Sequence, residues 1–303
     1  MLAIFAVFVM SLPDTFPTAR NLINITQQIS MLAVVAATMT VVMVMGDFDL
    51  SVGAMASLAG VVAAALFVQG WPVPLAVVVA LAVGLIGGFM VSIVGILPFV
   101  ATLATLTIFS GAAFIISDGR TIFGRDIPEA FSGFARSGLA LGDVDGRGLV
   151  FPNLTLVALA VVALVWVVLE QTSYGRRLYA IGGNREAARL AGIPVVKLRF
   201  SAFAFTALGA ALAGLMTASR VASANPTQGD GLMLTAIAAV FLGMTLTRDG
   251  QPRVLATLAG VLVLGVLDNG LTQMRVDSYV REVMVGLIIL TSVGVSALGH
   301  RRR

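Results

Sequence analysis

Apolar runs of bilayer-crossing length recur about ten times along this chain, most of them separated by short polar connectors. Inside a lipid bilayer no water is present to satisfy backbone amides, so a spanning chain forms either α-helices or a closed β-barrel. A barrel requires short stretches of alternating polarity, whereas these runs are continuous and rich in Ala, Leu, Val and Gly. Charged residues are 11% of the chain, far below the roughly 25% of soluble domains. The fold class this leaves is an all-α membrane protein, a polytopic helical bundle of about ten transmembrane helices.

Residues 1–12 make a helix of only about 18 Å, short of the roughly 30 Å hydrocarbon core, and are drawn as a marginal first span. L-P-D-T-F-P-T-A-R at 12–20 ends it in an interfacial loop. Further spans are predicted at about 22–45, 50–68, 73–94, 97–116, 149–169, 201–219, 232–246, 254–271 and 279–298. In the fourth, Ala80, Gly84 and Gly88 repeat every four residues, a spacing that lets another helix backbone approach closely. G-D-F-D-L-S-V-G at 46–53 interrupts an otherwise apolar stretch with two carboxylates. The polar segment 118–148 is too long for a plain connector, and a short surface helix is predicted over 127–135.

The densest positive charge lies between Glu170 and Phe200, with Arg176, Arg177, Arg185, Arg189, Lys197 and Arg199. The positive-inside rule places this stretch in the cytoplasm, together with Arg248, Arg253 and the Arg301, Arg302 and Arg303 tail. Both termini are then cytoplasmic. Spans two to five begin and end outside while spans seven to ten begin and end inside, so the two sets have the form of an inverted-topology repeat.

Several chemistries are excluded. There is no cysteine, and the single histidine, His300, sits in the terminal His-Arg-Arg-Arg. Thiolate or histidine metal sites and catalysis by a buried histidine are therefore absent, and no catalytic set or cofactor site is assigned. The one lysine, Lys197, belongs to no G-x-x-x-x-G-K-[ST] loop, so this chain holds no ATP-binding phosphate loop. The net charge of +4 is explained by topogenic arginines without invoking nucleic acid.

Within the basic stretch, Asn184 is suited to cap a helix, Glu186 and Arg189 complement its dipole, Gly192 fits the C-terminal left-handed position and Pro194 stops continuation. A two-turn helix over 184–191 follows, with Ala187, Ala188 and Ala191 as small side chains. Such a helix suits a groove on a partner protein; the plainer reading is a solvated linker with orienting arginines.

Y-G-R-R-L-Y-A-I-G-G-N-R-E-A-A-R-L-A-G-I resembles the coupling loop of permease subunits of bacterial ATP-binding-cassette (ABC) importers of the ribose and xylose type. G-D-F-D-L-S-V-G is similar to the G-G-I-D-L-S-V-G signature of those permeases, with Asp47 in place of a glycine, and A-S-A-N-P-T-Q-G-D-G-L-M-L-T-A-I-A-A-V-F-L-G at 222–243 resembles a third motif. The resemblance implies a single transmembrane permease domain over 1–303, with a periplasmic loop at 118–148 and a cytoplasmic coupling loop at 171–199, in a bacterial inner membrane. It implies a second permease chain, cytoplasmic ATPase subunits that bind the ATP, and a periplasmic solute-binding protein delivering a sugar or sugar-like solute. Gly182, Gly183, Asn184, Arg185, Glu186, Ala187, Ala188, Arg189, Leu190, Ala191 and Gly192 would then form the ATPase contact.

Asp47, Asp49, Ser51, Asn225, Gln228 and Asn269 are candidates for the translocation path, since carboxylates at membrane depth are costly and usually serve a function. Against this, Asp49 also suits a helix cap, and Asn225 and Gln228 suit any Pro- and Gly-containing turn. An ion-coupled secondary transporter and an ABC permease for amino acids stay open as alternatives. An intramembrane aspartyl enzyme is disfavoured because no flanking residues form a catalytic pair.

Overall fold

The computed structural model describes residues 2–93, 97–144, 147–247 and 249–300. The predicted end of the fourth span at Val94, and Asp145, Arg248 and the Arg301 to Arg303 tail, lie outside them. The helices are α1 (Leu2–Ser11), α2 (Ala19–Met43), α3 (Val52–Val68), α4 (Val73–Ile93), α5 (Pro98–Ser117), α6 (Glu129–Arg136), α7 (Asn153–Trp166), α8 (Ser173–Gly183), α9 (Arg185–Leu190), α10 (Val195–Val221), α11 (Leu232–Met244), α12 (Val254–Gln273) and α13 (Ser278–His300). Two small antiparallel pairs join them, β1 (Ile122–Phe123) with β4 (Ser223–Ala224), and β2 (Gly138–Val144) with β3 (Arg147–Pro152). Among the described residues, α2, α5, α7 with its widened last turn, α10 and α12 are long and apolar enough to cross a membrane.

The longest helix, α10, is packed by α2, α3 and α4. Its small residues make that crowding feasible, because in lipid close backbone contact replaces the hydrophobic drive between helices. Gly214 lies against the Ala56 carbonyl and Gly209 against the Thr38 side chain. Reciprocally, a side chain at Gly84 would meet the Ala207 carbonyl at 3.0 Å and the Ala211 methyl at 3.1 Å. Buried hydroxyls bond helices together: Thr206 donates to the Thr38 carbonyl at 2.9 Å, and the Thr40 and Thr257 hydroxyls lie 3.0 Å apart.

The contacts also fix direction. Asp47, just past α2, meets Arg199 near the start of α10, and Thr38 meets residues 206 and 209, so the two helices are antiparallel. The same logic makes α12 antiparallel to α2, through Thr40 with Thr257 and Gln28 with Asn269. Helix packing repeats with inverted sense. As α10 packs on α3 and α4, so α2 packs on α11 and α12; α3 packs on α4 and α5 as α11 packs on α12 and α13. This interleaving is the architecture of an inverted repeat of spans two to five and seven to ten.

Three features depart from the sequence prediction. Over 118–148 the surface helix is there as α6, but a β-hairpin follows, and α7 starts at Asn153 rather than near 149. A second helix, α8, precedes α9 in the basic stretch, where the sequence predicts one helix only. The third and eighth predicted spans are α3 and α11, of 17 and 13 residues, both of which begin inside the bundle.

Candidate coupling loop and broken-helix site

At one end of the bundle, α8 and α9 form a bracket between α7 and α10. The Thr172 hydroxyl accepts from the Gly175 amide at the start of α8, whose Gly175, Leu178 and Ile181 face inward. The Asn184 Oδ1 accepts from the Ala187 amide at 2.9 Å, and Gly192 takes φ +80° where α9 ends. Of the three alanines, Ala188 is buried against the protein itself while Ala187 and Ala191 are exposed. The outward surface is therefore Ala187, Leu190 and Ala191 between the charges of Glu186 and Arg189, with Leu190 79% exposed.

Four attachments hold this bracket to the bundle. Gly182 lies against the Val44 carbonyl, so a side chain there would collide with backbone. The Tyr174 and Ser201 hydroxyls are 2.9 Å apart. Tyr179 donates to the Pro252 carbonyl at 2.8 Å; just ahead of the bracket, and not part of it, Glu170 accepts from the Val254 amide at 2.9 Å. Burial, with the Glu170 carboxylate beside it, pushes the Tyr179 phenol up to about 12. Nearby, a hydrogen bond from Arg253 holds the Asp249 carboxyl below its ordinary value.

The fourth attachment is Asp47. Its Oδ1 accepts from Arg185 Nη2 and its Oδ2 from Arg199 Nε, each at 2.9 Å. Asp47 is buried, and the two guanidiniums approach it from different elements, α9 and α10. A carboxylate so placed is compensated on both oxygens, the condition under which attraction offsets the desolvation cost of a buried ion.

From Asp47 the chain runs through Asp49 to a turn at Leu50 and Ser51 that leads into α3. Gly60 abuts Gly214 and Ala218, which sets the start of α3 roughly level with residue 209 of α10, a climb of about 15 Å from Arg199 at 1.5 Å per residue. From the opposite end the chain after β4 turns back inward to Gly229. There the two breaks meet: a side chain at Gly53 would lie 2.7 Å from the Gly229 carbonyl, and one at Gly229 would collide with the Gly53 carbonyl. The Gly229 amide donates to the Ser57 hydroxyl at 2.7 Å. Thus α3 and α11 both start in the interior.

The remaining predicted path residues are spread across the molecule. Asp49 is buried and accepts both the amide (2.9 Å) and the hydroxyl (2.6 Å) of Ser51, a capping turn just ahead of α3. Asn225 organises its own loop, accepting from the Thr227 amide and hydroxyl at 2.8 Å and donating to Thr121 at 2.9 Å. Gln228 accepts from the Asn225 amide, while its buried Nε2 has no hydrogen-bond partner among the described residues. Asn269 is bonded to Gln28 and Gln273 near the other end of α12. The structure thus brings Asp49 and Ser51 together near the crossing of the breaks, with Gln228 next to it in the chain, and places Asn269 elsewhere. Ser57, Tyr179, Glu170 and Arg199 join the site only in three dimensions. Among the described residues no group of three or more His, Asp or Glu side chains is arranged to hold a metal ion.

A buried carboxylate thus ties an exposed loop helix to a break in the bundle, and the relatives say what kind of protein carries it. Residues 21–293 match the family model described as "Branched-chain amino acid transport system / permease component". The chain belongs to this permease family. It is 37% identical over 296 residues to the ribose import permease protein RbsC of Bacillus subtilis (strain 168), covering 96% of this chain and 89% of that protein. The ribose import permease protein RbsC of Escherichia coli (strain K12) is 35% identical over 96% of this chain and 90% of its own length. The xylose transport system permease protein XylH of Escherichia coli (strain K12) is 30% identical over 100% and 91%. Among solved structures, a chain of PsaBC from Streptococcus pneumoniae in complex with Fab aligns over 98% of this chain and 95% of its own, at 17% identity and a TM-score of 0.48. This permease is a multi-pass membrane subunit of an ABC importer, a transport component and not an enzyme.

Proposed function

We propose that this permease imports a sugar of the pentose type, and that α9 is where partner ATPase subunits dock. The observation that carries the docking assignment is the exposed, capped α9 held to the bundle only through its inner side, with Ala187, Leu190 and Ala191 left outward. Small side chains on a short rigid helix let a partner groove close on the backbone at little entropic cost. The sugar assignment rests on likeness, over nearly the full length, to permeases named for ribose and xylose; it is favoured over an amino acid for that reason. The bracket lies in the cytoplasm, both termini with it, and the chain sits in a bacterial inner membrane beside a second permease chain. A periplasmic binding protein delivers solute to the opposite end, and ATP is bound by the ATPase partner.

The solute passes the crossing of the two breaks, where Ser51, Asp49 and the free amide of Gln228 supply polar groups. Docking is tested with Ala187→Arg in the coexpressed importer. The substituted chain is expected to lose its ATPase partner about tenfold on copurification, as a groove contact closed by a bulky charge should. Retention of the ATPase and of ATP-driven uptake in vesicles would remove the docking assignment. The substrate class is tested by the solutes that the cognate binding protein retains: pentoses are expected, and amino acids alone would overturn it.

A further inference from the structure

We propose that Asp47 is a positioning residue for transport, the one side chain through which movement of α9 is delivered to the break ahead of α3. This rests on the docking assignment for α9. The geometry has three parts. Asp47 is the only residue of the break that bonds to α9 through a side-chain ion pair among the described residues, at 2.9 Å from Arg185. Its other oxygen is fixed to Arg199 of α10 at the same distance, so one carboxylate is shared between a loop helix and the central helix. Beyond it the chain is hydrogen-bonded only locally, through the turn of Asp49 and Ser51, until Gly53 lodges against Gly229.

Only five residues separate Asp47 from Gly53, and so short a segment, closed on itself by the turn between Asp49 and Ser51, has little slack with which to absorb a displacement of its end. A displacement of Arg185 relative to Arg199 therefore leaves Asp47 two responses. It follows α9 and draws Gly53 away from Gly229, or it stays with α10 and lets α9 move alone. The other contact between bracket and break, Gly182 on the Val44 carbonyl, resists compression but not withdrawal. Pulling is left to the charge pair. The aromatic contact between Phe48 and Phe241, with ring centroids 6.1 Å apart, lies next to Asp47 and would report the segment's motion on α11.

The absence of cysteine from the chain allows single reporters. In the complete importer in nanodiscs, with its ATPase subunits, an environment-sensitive fluorophore is placed at Ala180→Cys, exposed on the α8 helix that carries α9 and outside the docking face, or at Phe48→Cys in the break, and a non-hydrolysable ATP analogue is added. With Asp47 intact both reporters are expected to respond. With Asp47→Asn, or with Arg185→Gln, which spares the Arg199 arm, the Ala180 response and ATPase copurification should persist while the Phe48 response falls about five- to tenfold, within the range of coupling changes seen for linking residues. A Phe48 response unchanged in both variants overturns the proposal. Loss of both responses together also overturns it, since Asp47 would then serve only to hold the docking helix in shape. If Ala180 fails to respond even with Asp47 in place while the ATPase remains bound, the docking assignment itself is at fault, and this proposal falls with it.

Discussion

The two breaks in the bundle, 44–51 ahead of α3 and 222–231 ahead of α11, are alike in what they achieve and opposite in how they are held. A glycine at each, Gly53 in the first turn of α3 and Gly229 within the second break, is pressed on the backbone of the other, and each break leads into a short helix. The first is anchored by charge, through Asp47 to Arg185 and Arg199. The second is anchored by neutral hydrogen bonds, the β1 and β4 pair and the turn around Asn225. A charge pair to a loop helix can be moved by whatever moves that helix, whereas a turn bonded mainly to itself and to 121–123 answers to the opposite face. The inverted repeat is therefore symmetric in packing and asymmetric in control.

The largest effect should come from breaking the shared crossing. Gly229→Ala sets a methyl into the Gly53 carbonyl, and backbone on both sides must shift. A loss of about 3 kcal/mol is expected, read as a lowered unfolding midpoint in detergent and as lost uptake. Normal stability would show that the two breaks do not touch.

Removing the neutral anchor alone should do less. Asn225→Ala deletes bonds to Thr121 and Thr227 on a partly exposed loop and is expected to cost about 1 kcal/mol, independent of salt. A salt-dependent loss would mean that charge holds this break too.

The legible part of this molecule is local. Asn184 as cap, Gly192 at positive φ and the surface helix ahead of residue 136 each depend on neighbours within a few positions. The break at 46–53 is visible because carboxylates interrupt an apolar run. Its partners are not, since Arg185 and Arg199 lie 138 and 152 positions away. Hydropathy counts apolar residues and ignores depth, so α3 and α11, which start midway, read as ordinary spans. The hairpin did leave a signal, a D-G pair between the alternating apolar residues Leu139, Leu141, Leu149 and Phe151. Likewise α8 shows inward Leu178 and Ile181 at helical spacing.

The smallest effect concerns the ties beside the charged break. Tyr179→Phe removes the bond to Pro252 and should cost about 0.5 kcal/mol near neutral pH. Because the folded phenol titrates at about 12, above its ordinary 10.0, the folded state holds a proton that the unfolded chain has lost. Stability of the native sequence should accordingly fall as pH rises from 10 toward 12. Tyr179→Phe should flatten that slope; an equal slope in both would show that the phenol is not protected.

The central claim, that charge binds the first break to α9 and not the second, is tested most directly by paired double-mutant cycles on unfolding free energy. One cycle combines Asp47→Asn with Arg185→Gln, the other Thr121→Ala with Asn225→Ala. The account predicts a coupling of about 1 kcal/mol for the first, reduced because Arg185 is 45% exposed and weakened further by salt, and about 0.5 kcal/mol, insensitive to salt, for the second. Strict additivity of Asp47→Asn and Arg185→Gln at low salt would contradict it.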